Sequence, residues 1–541
     1  MIRIGNASGF YGDRFSAWRE MLEGGPLDVL TGDYLAELTM LILGRDRLKD
    51  PALGYARTFP RQMEECLGLA ADRGVRIVTN AGGLNPAGLA AALRSLAARL
   101  GLSTTIGYVE GDALDRPGAL AANAYLGAFG IASCLTAGAD VVVTGRVTDA
   151  SLVVGPAIAH FGWSRDDLDA LAGATVAGHV LECGAQATGG NFAFFTELPD
   201  GGRRPGFPIA EVHADGSAVI TKHPGTGGAV TVETVTAQLL YEMGAPAYPG
   251  PDVVTHLDSV KLAQEGPDRV RVTGTRGTPP PPTLKVGVAG VDGHRNAMTF
   301  VLTGLDLDAK AALVRAQLED AVGKEGLTFT RTGALLHAAI HDPDPKRAGR
   351  AFSGAAVELA LSSYPGCTLT TPPGDATPNT VFTADETPQA PHWAVHPDGT
   401  RVEIPSPAIT RELVGETEPT HAPSDPPRGP LGTRSGDKGV DANIGVWARH
   451  AADYPALVGW LTSEKLAELL PEVAGHAIER YEMRNLWAVN FVIRGLLVDR
   501  DPLDPQGKAL GERLRARIRV AAGEPLVTTE GSNDVARQMG V

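Results

Sequence analysis

Short apolar runs alternate with helical patterns over roughly the first 160 residues of the chain. The apolar runs predict strands at Ile2–Ile4, Leu27–Leu30, Val75–Thr79, Thr105–Val109 and Asp140–Thr144. Between them, apolar side chains recur with the spacing of amphipathic helices, around Arg14–Leu22, Tyr34–Leu43, Pro60–Asp72, Pro86–Leu100 and Tyr125–Ala137. Such alternation is typical of a parallel sheet that is covered by helices.

Each predicted strand is followed by a loop rich in Gly, Asn, Asp, Thr or Arg. In chain order these loops read GNASGFYGD, TGDY, TNAGGLNP, EGDAL and TGRVTDAS. One such loop is an ordinary strand-to-helix turn, because turns need these residues. All five, however, leave the sheet at the carboxyl ends of parallel strands, which is the edge where open α/β sheets bind ligands. We therefore predict a ligand site at this edge.

The pattern changes after residue 173. The stretch GATVAGHVLECGAQATGGNF predicts a helix that ends in a Gly-rich segment near Gly189 and Gly190, which we call the Gly-rich exit. A hairpin and a second Gly-rich loop, HPGTGG, follow it. Alternating positions from Leu257 to Gly304 predict an antiparallel sheet, and GETEPTHAPSDPPRGP has the composition of a linker. The predicted parts are an α/β parallel-sheet domain with the site (1–250), an antiparallel α+β region (251–412), a Pro-rich linker (413–430) and a small α+β domain (431–541).

Composition and charge narrow the classes of function. The chain has 541 residues, of which 43% are hydrophobic and 21% charged, as is usual for globular proteins of several domains. Its net charge is −15 and it has no basic block, which argues against binding to nucleic acid or to an anionic membrane. The charge does not exclude small molecules that carry phosphate as ligands, because the N-terminus of a helix can bind a phosphate group locally.

The cysteines Cys66, Cys134, Cys183 and Cys367 form no Cys-x-x-Cys pair. A zinc or iron–sulfur framework and a disulfide scaffold are therefore not expected. The N-terminus enters a strand at once and lacks the pattern of a signal peptide, and no apolar run approaches the roughly 20 residues that span a bilayer. We expect a protein of the reducing cytoplasm.

The edge loops contain the first candidate site residues. Arg146 follows a buried strand, and an arginine there can bind a carboxylate or phosphate through both arms of its guanidinium. Asp149 and Asp13 either contact a ligand or cap the helices that follow them. Asn80 and Asn85 flank the paired glycines of the third loop, and they either bond to a ligand or are plain turn residues.

A second group lies before the first Gly-rich exit. His179 and Cys183 are four residues apart and share a helix face with Glu182 nearby. A thiol beside a histidine can act as a nucleophile or a proton donor, but a cysteine is also often a small buried hydrophobic residue. The polar residues around the exit, which can position a substrate, are Gln186, Thr188 and Asn191.

Three further groups carry weaker signals. His223 begins HPGTGG, which is either an anion-binding nest suited to a pantetheine pyrophosphate or a Gly-rich turn. His337, His341 and Asp342 have metal-ligand spacing on a helix, but the lack of a distant third ligand favours a role without metal. The polar run Arg434–Lys438 in TRSGDKG is by default a solvated loop, with an interface or a phosphate contact as the alternative.

Several long motifs resemble the acyclic terpene utilisation AtuA family. They are GNASGFYGD, GDYLAELTM, NAGGLNP, VVTGRVTDASL, GHVLECGAQATGGNF and HPGTGGAVTVETVTAQLLYE. RSGDKGVDANIGV resembles the ferredoxin-fold domain that ends many members of the family. The expected fold class is therefore α/β, with an N-terminal parallel sheet and flanking helices, an antiparallel α+β region and a small C-terminal ferredoxin-like α+β domain.

The resemblance implies a role in bacterial breakdown of citronellol and geraniol through branched acyl-CoA intermediates, beside biotin-dependent acyl-CoA carboxylases and hydratases. One reaction proposed for the family is cleavage of a 3-hydroxy-3-methylglutaryl-CoA-like compound. The expectation is thus an acyl-CoA-processing protein that acts as a carbon–carbon lyase. The alternative is a non-catalytic binding or assembly subunit of an acyl-CoA carboxylase system. A Rossmann dehydrogenase is disfavoured, because GNASGFYG is not Gly-x-Gly-x-x-Gly.

A retro-aldol cleavage assigns roles to these candidates. Asp149 or Glu182 would be the base, Arg146 would hold the enolate charge and Cys183, near His179, would return the proton. The expected substrate is a CoA thioester. No cofactor is certain, and the need for a divalent metal is left open. The expected partners are copies of the same chain and carboxylase-pathway proteins. The substrate-binding candidates are Asn6, Asp13, Asn80, Gly82, Gly83, Asn85, Gln186, Thr188, Asn191, His223 and Thr226.

Overall fold

The computed structural model describes residues 1–413, 421–422, 424–497 and 506–523. The described residues form two compact units. The first comprises residues 1–289 and those from 382 onward, and the second comprises residues 290–381. The linker predicted at 413–430 includes residues 414–420 and 423, which lie outside the described residues.

The first 250 residues alternate between strands and helices. The strands are β1 (Ile2–Asn6), β2 (Val29–Gly32), β3 (Arg76–Thr79), β4 (Ile106–Glu110), β5 (Ala121–Ala124), β6 (Val141–Thr144), β7 (Pro208–Val212), β8 (Ala218–Lys222) and β9 (Ala247–Pro249). The helices are α1 (Ala17–Gly24), α2 (Glu37–Lys49), α3 (Thr58–Arg73), α4 (Pro86–Leu100), α5 (Phe129–Thr136), α6 (Ser151–Phe161), α7 (Leu168–Leu181) and α8 (Val232–Leu239).

Strands dominate the rest of the described chain. They are β10 (Val254–His256), β11 (Lys261–Gly266), β12 (Arg269–Thr273), β13 (Arg276–Thr278), β14 (Thr283–Val301), β15 (Leu327–Thr332), β16 (Leu335–Asp342), β17 (Thr377–Pro388), β18 (His392–Val395), β19 (Arg401–Ile404), β20 (Leu431–Lys438), β21 (Asp441–Ala448), β22 (Ile478–Met483) and β23 (Ala488–Ile493). The helices are α9 (Leu307–Val322), α10 (Phe352–Ser362), α11 (Tyr454–Trp460), α12 (Ser463–Leu469) and α13 (Gln506–Ala521).

A large mixed sheet forms the centre of the first unit. Its parallel core has the strand order β1-β2-β3-β6-β4, with Ile4 beside Val29 and Leu30 beside Ile77. Antiparallel strands extend it on both sides, as β7-β8-β12-β11 beyond β1 and as β18-β19 beyond β4. The predicted α/β class is confirmed, and all five predicted strands are present.

The strands of the parallel core are apolar because helices cover both of their faces. Val142 on β6 belongs to the hydrophobic core that includes α5, α6 and α7. Val141 and Val143 belong to the core on the other face, with α1, α3 and α4. Helices thus pack on both faces of the sheet whose carboxyl edge carries the predicted site.

Three predicted helices begin later than expected, and the one expected from Tyr34 begins at Glu37. The helix expected from Tyr125 begins at Phe129, because residues 121–124 form β5, which pairs with the distant β14, and Leu126 after it forms a β-bridge with Val147. The helix expected from Arg14 begins at Ala17, because residues 7–16 belong to the first edge loop. Local hydrophobic periodicity does not report such distant pairing.

The second unit contains an antiparallel sheet of β15, β16 and the later part of β14, which packs against α9 and α10. His337 and His341 lie on β16, so the helix predicted for them was wrong. Four residues along a strand span about 13 Å, which is too far for two ligands of one metal ion. Nδ1 of His337 instead lies 3.0 Å from Thr299 Oγ1, and Nε2 of His341 lies 2.7 Å from the Asp292 carbonyl oxygen.

The last described part of the chain forms a small α+β domain, as predicted. Its antiparallel sheet has the strand order β20-β21-β23-β22. Helices α11, α12 and α13 bring Leu457, Leu466 and Leu514 into the core of this sheet. Within the ranges that the structure describes, no helix is long and apolar enough to cross a membrane.

Candidate functional site

Three buried polar side chains follow neighbouring strands at the carboxyl edge of the parallel core. Asp33 comes directly after β2, Asn80 directly after β3, and Arg146 two positions after β6. Asp33, Asn80 and Arg146 are 4%, 0% and 4% exposed, respectively. Polar side chains of these types are seldom buried unless they are paired. They form the centre of the candidate site.

Arg146 is fixed by its neighbours in three directions. Its Nη1 lies 2.5 Å from Oδ1 of Asp149, and its guanidinium carbon lies 4.0 Å from the ring centre of Tyr125. Its backbone N–H donates to Oδ2 of Asp112 at 2.9 Å, and Asp112 also accepts from the Asn123 side chain at 2.7 Å. The ion pair and the cation–π contact orient a charge that has little water around it.

Asp33 is the second carboxyl group beside this cation. Asn80 donates from Nδ2 to Oδ1 of Asp33 at 2.6 Å, and its own Oδ1 accepts from the Tyr34 N–H at 2.7 Å. Burial, together with the charge of Asp149, raises the pKa of Asp33 well above its usual range, while Arg146 and Asn80 oppose the shift. Asp33 can therefore hold a proton at a higher pH than an exposed aspartate.

The end of α7 reaches the same edge. Asn6, the last residue of β1, donates from Nδ2 to the carbonyl oxygens of Leu181 at 2.6 Å and Glu182 at 3.2 Å. His179 is 2% exposed, and its Nδ1 lies 3.0 Å from Oε1 of Glu182. The predicted His179–Glu182 group therefore lies beside the first edge loop.

Tyr248 connects the two groups. Its ring centre lies 5.5 Å from that of His179. Burial, followed by the charges of Glu182 and Asp149, raises the pKa of the Tyr248 hydroxyl well above its ordinary value. The Arg146 cluster and the His179–Glu182 pair thus form one electrostatic environment.

Cys183 follows α7 and is partly buried. Burial, followed by the charges of Glu182 and Glu242, raises the pKa of its thiol well above its ordinary value. Such a thiol stays protonated at neutral pH, so it is a poor nucleophile and is available as a proton donor. The first edge loop lies directly against it, since a Cβ on Gly9 would be 2.6 Å from the Cys183 carbonyl carbon.

The glycines of the third edge loop are surrounded by protein. A Cβ on Gly82 would lie 2.4 Å from the Thr144 carbonyl oxygen, and one on Gly83, which has a φ of +51°, would lie 2.3 Å from Leu43. Asn85 caps α4, with Oδ1 accepting from the Gly88 N–H at 2.9 Å. This loop therefore needs glycine for close packing and positive φ, whether or not it also approaches a ligand.

The C-terminal domain contributes a buried cation next to Cys183. Arg434 on β20 is 8% exposed, donates to Gln186 Oε1 and, at 3.3 Å, to the Asn191 carbonyl oxygen, and stacks 4.2 Å from the ring centre of Tyr241. Burial lowers the pKa of its guanidinium. No carboxylate among the described residues pairs with it. The default interpretation of TRSGDKG as a solvated loop was therefore wrong for Arg434, and the interface alternative is observed.

The other predicted residues serve the local structure. Asp13 accepts from the Gly9 and Arg14 N–H groups at 2.8 and 2.7 Å, so it organises the first edge loop and is not the cap of α1. His223 is 1% exposed, lies with Nε2 2.9 Å from the Met21 carbonyl oxygen, and has its pKa lowered by burial. Two threonines donate to carbonyl oxygens of their own surroundings, namely Thr226 to His223 at 2.7 Å and Thr188 to Gly206 at 2.5 Å.

Sequence reasoning did not single out Asp33, Asp112, Tyr125 or Tyr248. The two aspartates stand in TGDY and EGDAL, so the rule that selects the carboxyl edge could have found them. Tyr125 directly follows β5 and Tyr248 lies within β9, and both are short strands that local patterns do not reveal. The assembled cluster can provide a carboxylate base, a protonated acid and a fixed positive charge for acid–base chemistry on an anionic substrate.

Comparison with known families gives two matches. The model of the acyclic terpene utilisation family protein AtuA matches residues 2–391. The model of the AtuA ferredoxin-like domain matches residues 432–518, which include β20–β23. No curated protein matches the chain.

Proposed function

The chain belongs to the acyclic terpene utilisation AtuA family, and we propose that it is an acyl-CoA-processing enzyme of branched-chain or acyclic terpenoid breakdown. The proposed reaction is carbon–carbon cleavage of a 3-hydroxy-3-alkylglutaryl-CoA-like substrate. One arrangement supports it above all, the buried Arg146 guanidinium with the carboxyl groups of Asp149 and Asp33 at the ligand-binding edge of the sheet.

In the proposed retro-aldol step, Asp149 takes the proton of the tertiary hydroxyl group. The bond between the second and third carbons of the acyl chain breaks, so that the third carbon becomes a ketone and the second carbon becomes a thioester enolate. Arg146 stabilises the enolate charge, which counts for more in a site with little water. The products are acetyl-CoA and a 3-oxo acid.

A neutral acid completes the reaction by protonating the enolate carbon. The Cys183 thiol suits this role because its raised pKa keeps it protonated. Glu182 is the alternative base, and its Oε1 lies 3.0 Å from Nδ1 of His179. Asp149 is favoured over Glu182 because its side chain is 28% exposed against 10%, and it contacts the cation directly.

The kinetics of two variants test these roles. Asp149→Asn should lower kcat by about 10²- to 10⁴-fold, the usual contribution of a general base, while the Kd for acyl-CoA stays near that of the wild type. Cys183→Ala should also lower turnover and leave the affinity nearly unchanged, because the proton transfer matters only in the transition state. Asp342→Asn is a matched control, since Asp342 also pairs with an arginine but lies in the second unit.

The alternative function has its own signature in the same assay. In that outcome acyl-CoA is neither cleaved nor otherwise changed, with or without added Mg²⁺ or Mn²⁺, but it raises the melting temperature of the protein. That result would replace the lyase by a non-catalytic binding or assembly subunit of a carboxylase system. Wild-type turnover in both variants would remove Asp149 and Cys183 from the mechanism.

A further inference from the structure

Arg434 differs from the other side chains that join the C-terminal domain to the rest of the first unit. Asn443 donates from Nδ2 to the Leu240 carbonyl oxygen at 2.8 Å. Arg449 forms ion pairs with two glutamates of the first 250 residues. These contacts match a neutral donor with a neutral acceptor and a cation with carboxylates, so they need no further partner.

The positive charge of Arg434 has only neutral partners. Its Nη2 donates to the Gln186 amide oxygen, its Nη1 donates to the Asn191 carbonyl oxygen at 3.3 Å, and its guanidinium lies against the ring of Tyr241. Burial lowers the pKa of this guanidinium more than the charge of Glu242 raises it. A buried cation without a carboxylate partner is costly, and neutral hydrogen bonds offset the cost only in part.

The guanidinium also keeps one open edge. Both Nη atoms are bonded, whereas Nε donates to no group among the described residues and is not enclosed by protein. An Nε–H group and a neighbouring Nη N–H group are the edge through which arginine binds a carboxylate by two parallel hydrogen bonds. Cys183 and Gln186 are partly exposed and Asn191 is exposed, so the surroundings of this edge are open as well.

Alternation along β20 sets the direction of the Arg434 side chain. Ser435 faces α13, where its Oγ accepts from the Gly511 N–H at 2.9 Å. Arg434 and Gly436 therefore face the other side of the sheet, and a Cβ on Gly436 would lie 2.6 Å from the ring of Tyr241. The strand pattern of the C-terminal domain thus presents this cation to the Gly-rich exit.

The Gly-rich exit brings Arg434 next to the candidate acid of the reaction. Gln186, which accepts from Arg434, lies in the same short helical turn as Cys183, and its N–H donates to the Cys183 carbonyl oxygen at 3.3 Å. The proposed substrate has two anionic regions, the enolate that forms beside the thioester and the free carboxylate at the far end of the acyl chain. Arg146 stabilises the first, and none of the roles assigned above holds the second.

From these observations we infer that Arg434 binds the free carboxylate of the acyl chain, so that the C-terminal domain selects dicarboxylic acyl-CoA substrates. The identity of the carboxylate as part of an acyl-CoA rests on the proposed function. The assignment gives the C-terminal domain a direct part in substrate recognition, in addition to its packing against the first 250 residues.

The test compares the binding of two CoA thioesters to the full chain by isothermal titration calorimetry. The first is 3-methylglutaryl-CoA, and the second is its neutral amide, 4-carbamoyl-3-methylbutanoyl-CoA. Both lack the hydroxyl group that a retro-aldol cleavage requires, so binding is measured without turnover. Arg434→Gln should bind 3-methylglutaryl-CoA at least about tenfold more weakly than the wild type, the value of a hydrogen bond to a charged group. Its affinity for the amide should stay within about threefold.

Three further variants separate recognition from packing. Gln186→Glu places a carboxylate against the guanidinium, so the melting temperature should not fall, yet 3-methylglutaryl-CoA should bind at least about tenfold more weakly because the new carboxylate competes with it. Arg434→Lys keeps the charge without the fork and should have an affinity between those of Arg434→Gln and the wild type. Arg449→Gln is the matched control and should leave the ratio of the two affinities unchanged.

An unchanged ratio of the two affinities in Arg434→Gln and Gln186→Glu would overturn the inference, and so would an equal loss of affinity for both ligands. No detectable binding of 3-methylglutaryl-CoA to the wild type would overturn it too. Selective binding as expected without cleavage of 3-hydroxy-3-methylglutaryl-CoA would refute the lyase reaction alone. Cleavage together with an unchanged ratio in both variants would refute the role of Arg434 alone.

Discussion

Replacing Arg146 by methionine should destabilise the first unit, and most strongly at alkaline pH. The substitution removes a cation whose side chain is only 5% exposed and keeps an apolar stem of similar size. Asp149 loses its ion-pair partner at 2.5 Å, Asp33 loses the nearby positive charge, and Tyr125 loses a stacked guanidinium. Carboxylates are then left in a site with little water.

The magnitude follows from the burial of the pair. Removal of one partner from a buried ion pair costs about 3–5 kcal/mol, and a desolvated cation–π contact adds about 1 kcal/mol. The Asp149 side chain is 28% exposed, so water relieves part of its charge and the lower end of the range applies. The two contributions together give an expected loss of about 4 kcal/mol in the free energy of unfolding near pH 8.

The pH dependence has a definite sign. The pKa of Asp33 is already raised by burial and the charge of Asp149, and loss of the Arg146 cation raises it further. A carboxyl group whose pKa is higher in the folded than in the unfolded state loses stability as pH rises from about 4, its unfolded value, to its folded pKa. The wild type shares this loss up to its own raised Asp33 pKa, and only the variant continues to lose stability above it. The deficit of Arg146→Met relative to the wild type should therefore grow as the pH rises above the folded pKa of Asp33 in the wild type.

Urea unfolding followed by tryptophan fluorescence at about pH 5 and about pH 8 measures this difference. The double variant Arg146→Met/Asp33→Asn should recover part of the loss near pH 8, because it removes one of the uncompensated charges. Arg401→Met is the control, since Arg401 also stacks on a ring and pairs with a carboxylate but its side chain is 51% exposed. A deficit below about 1 kcal/mol, or one that is equal at both pH values, would refute this reasoning.

Three further predictions concern the surroundings of the cluster. Gly82→Ala should destabilise the fold by more than about 1 kcal/mol, measured by thermal melting, because its Cβ would lie 2.4 Å from the Thr144 carbonyl oxygen; an unchanged melting temperature would show that the loop can move. Arg434→Gln should raise KM for an acyl-CoA at least about tenfold with a smaller change in kcat, because a buried guanidinium without a carboxylate partner favours an anion; Arg449→Gln, whose guanidinium already pairs with two glutamates, should raise it less. Cys183 should resist iodoacetamide in the folded protein near pH 8, because burial and the nearby carboxylates raise the pKa of its thiol, and rapid alkylation seen by mass spectrometry would contradict that environment.

The parallel core could be predicted from the sequence because each of its strands is a short, mostly apolar run between two turn-rich segments. The same pattern located the carboxyl edge, and with it Arg146 and Asp149, which the structure joins in one ion pair. It also placed His179 and Glu182 one helical turn apart, and they are in contact. These are local features, and local periodicity reports them.

Other parts of the site depend on contacts between distant segments. Arg434 lies beside Gln186, 248 positions away in the chain, and no spacing within TRSGDKG reveals that contact. The paired glycines Gly82 and Gly83 suggested an open approach to a ligand, whereas the structure surrounds both with protein atoms. A Gly-rich loop looks alike in sequence whether its backbone faces a ligand or a neighbouring strand.

The central claim is tested most directly by product analysis. The purified full chain is incubated with 3-hydroxy-3-methylglutaryl-CoA and with a homologue that carries a longer branched alkyl group, and the products are identified by mass spectrometry. The account predicts one acetyl-CoA and one 3-oxo acid for each substrate molecule consumed, with the activity abolished in Arg146→Met and retained in Arg401→Met. Hydrolysis to free CoA, or equal cleavage by wild type and Arg146→Met, would contradict it.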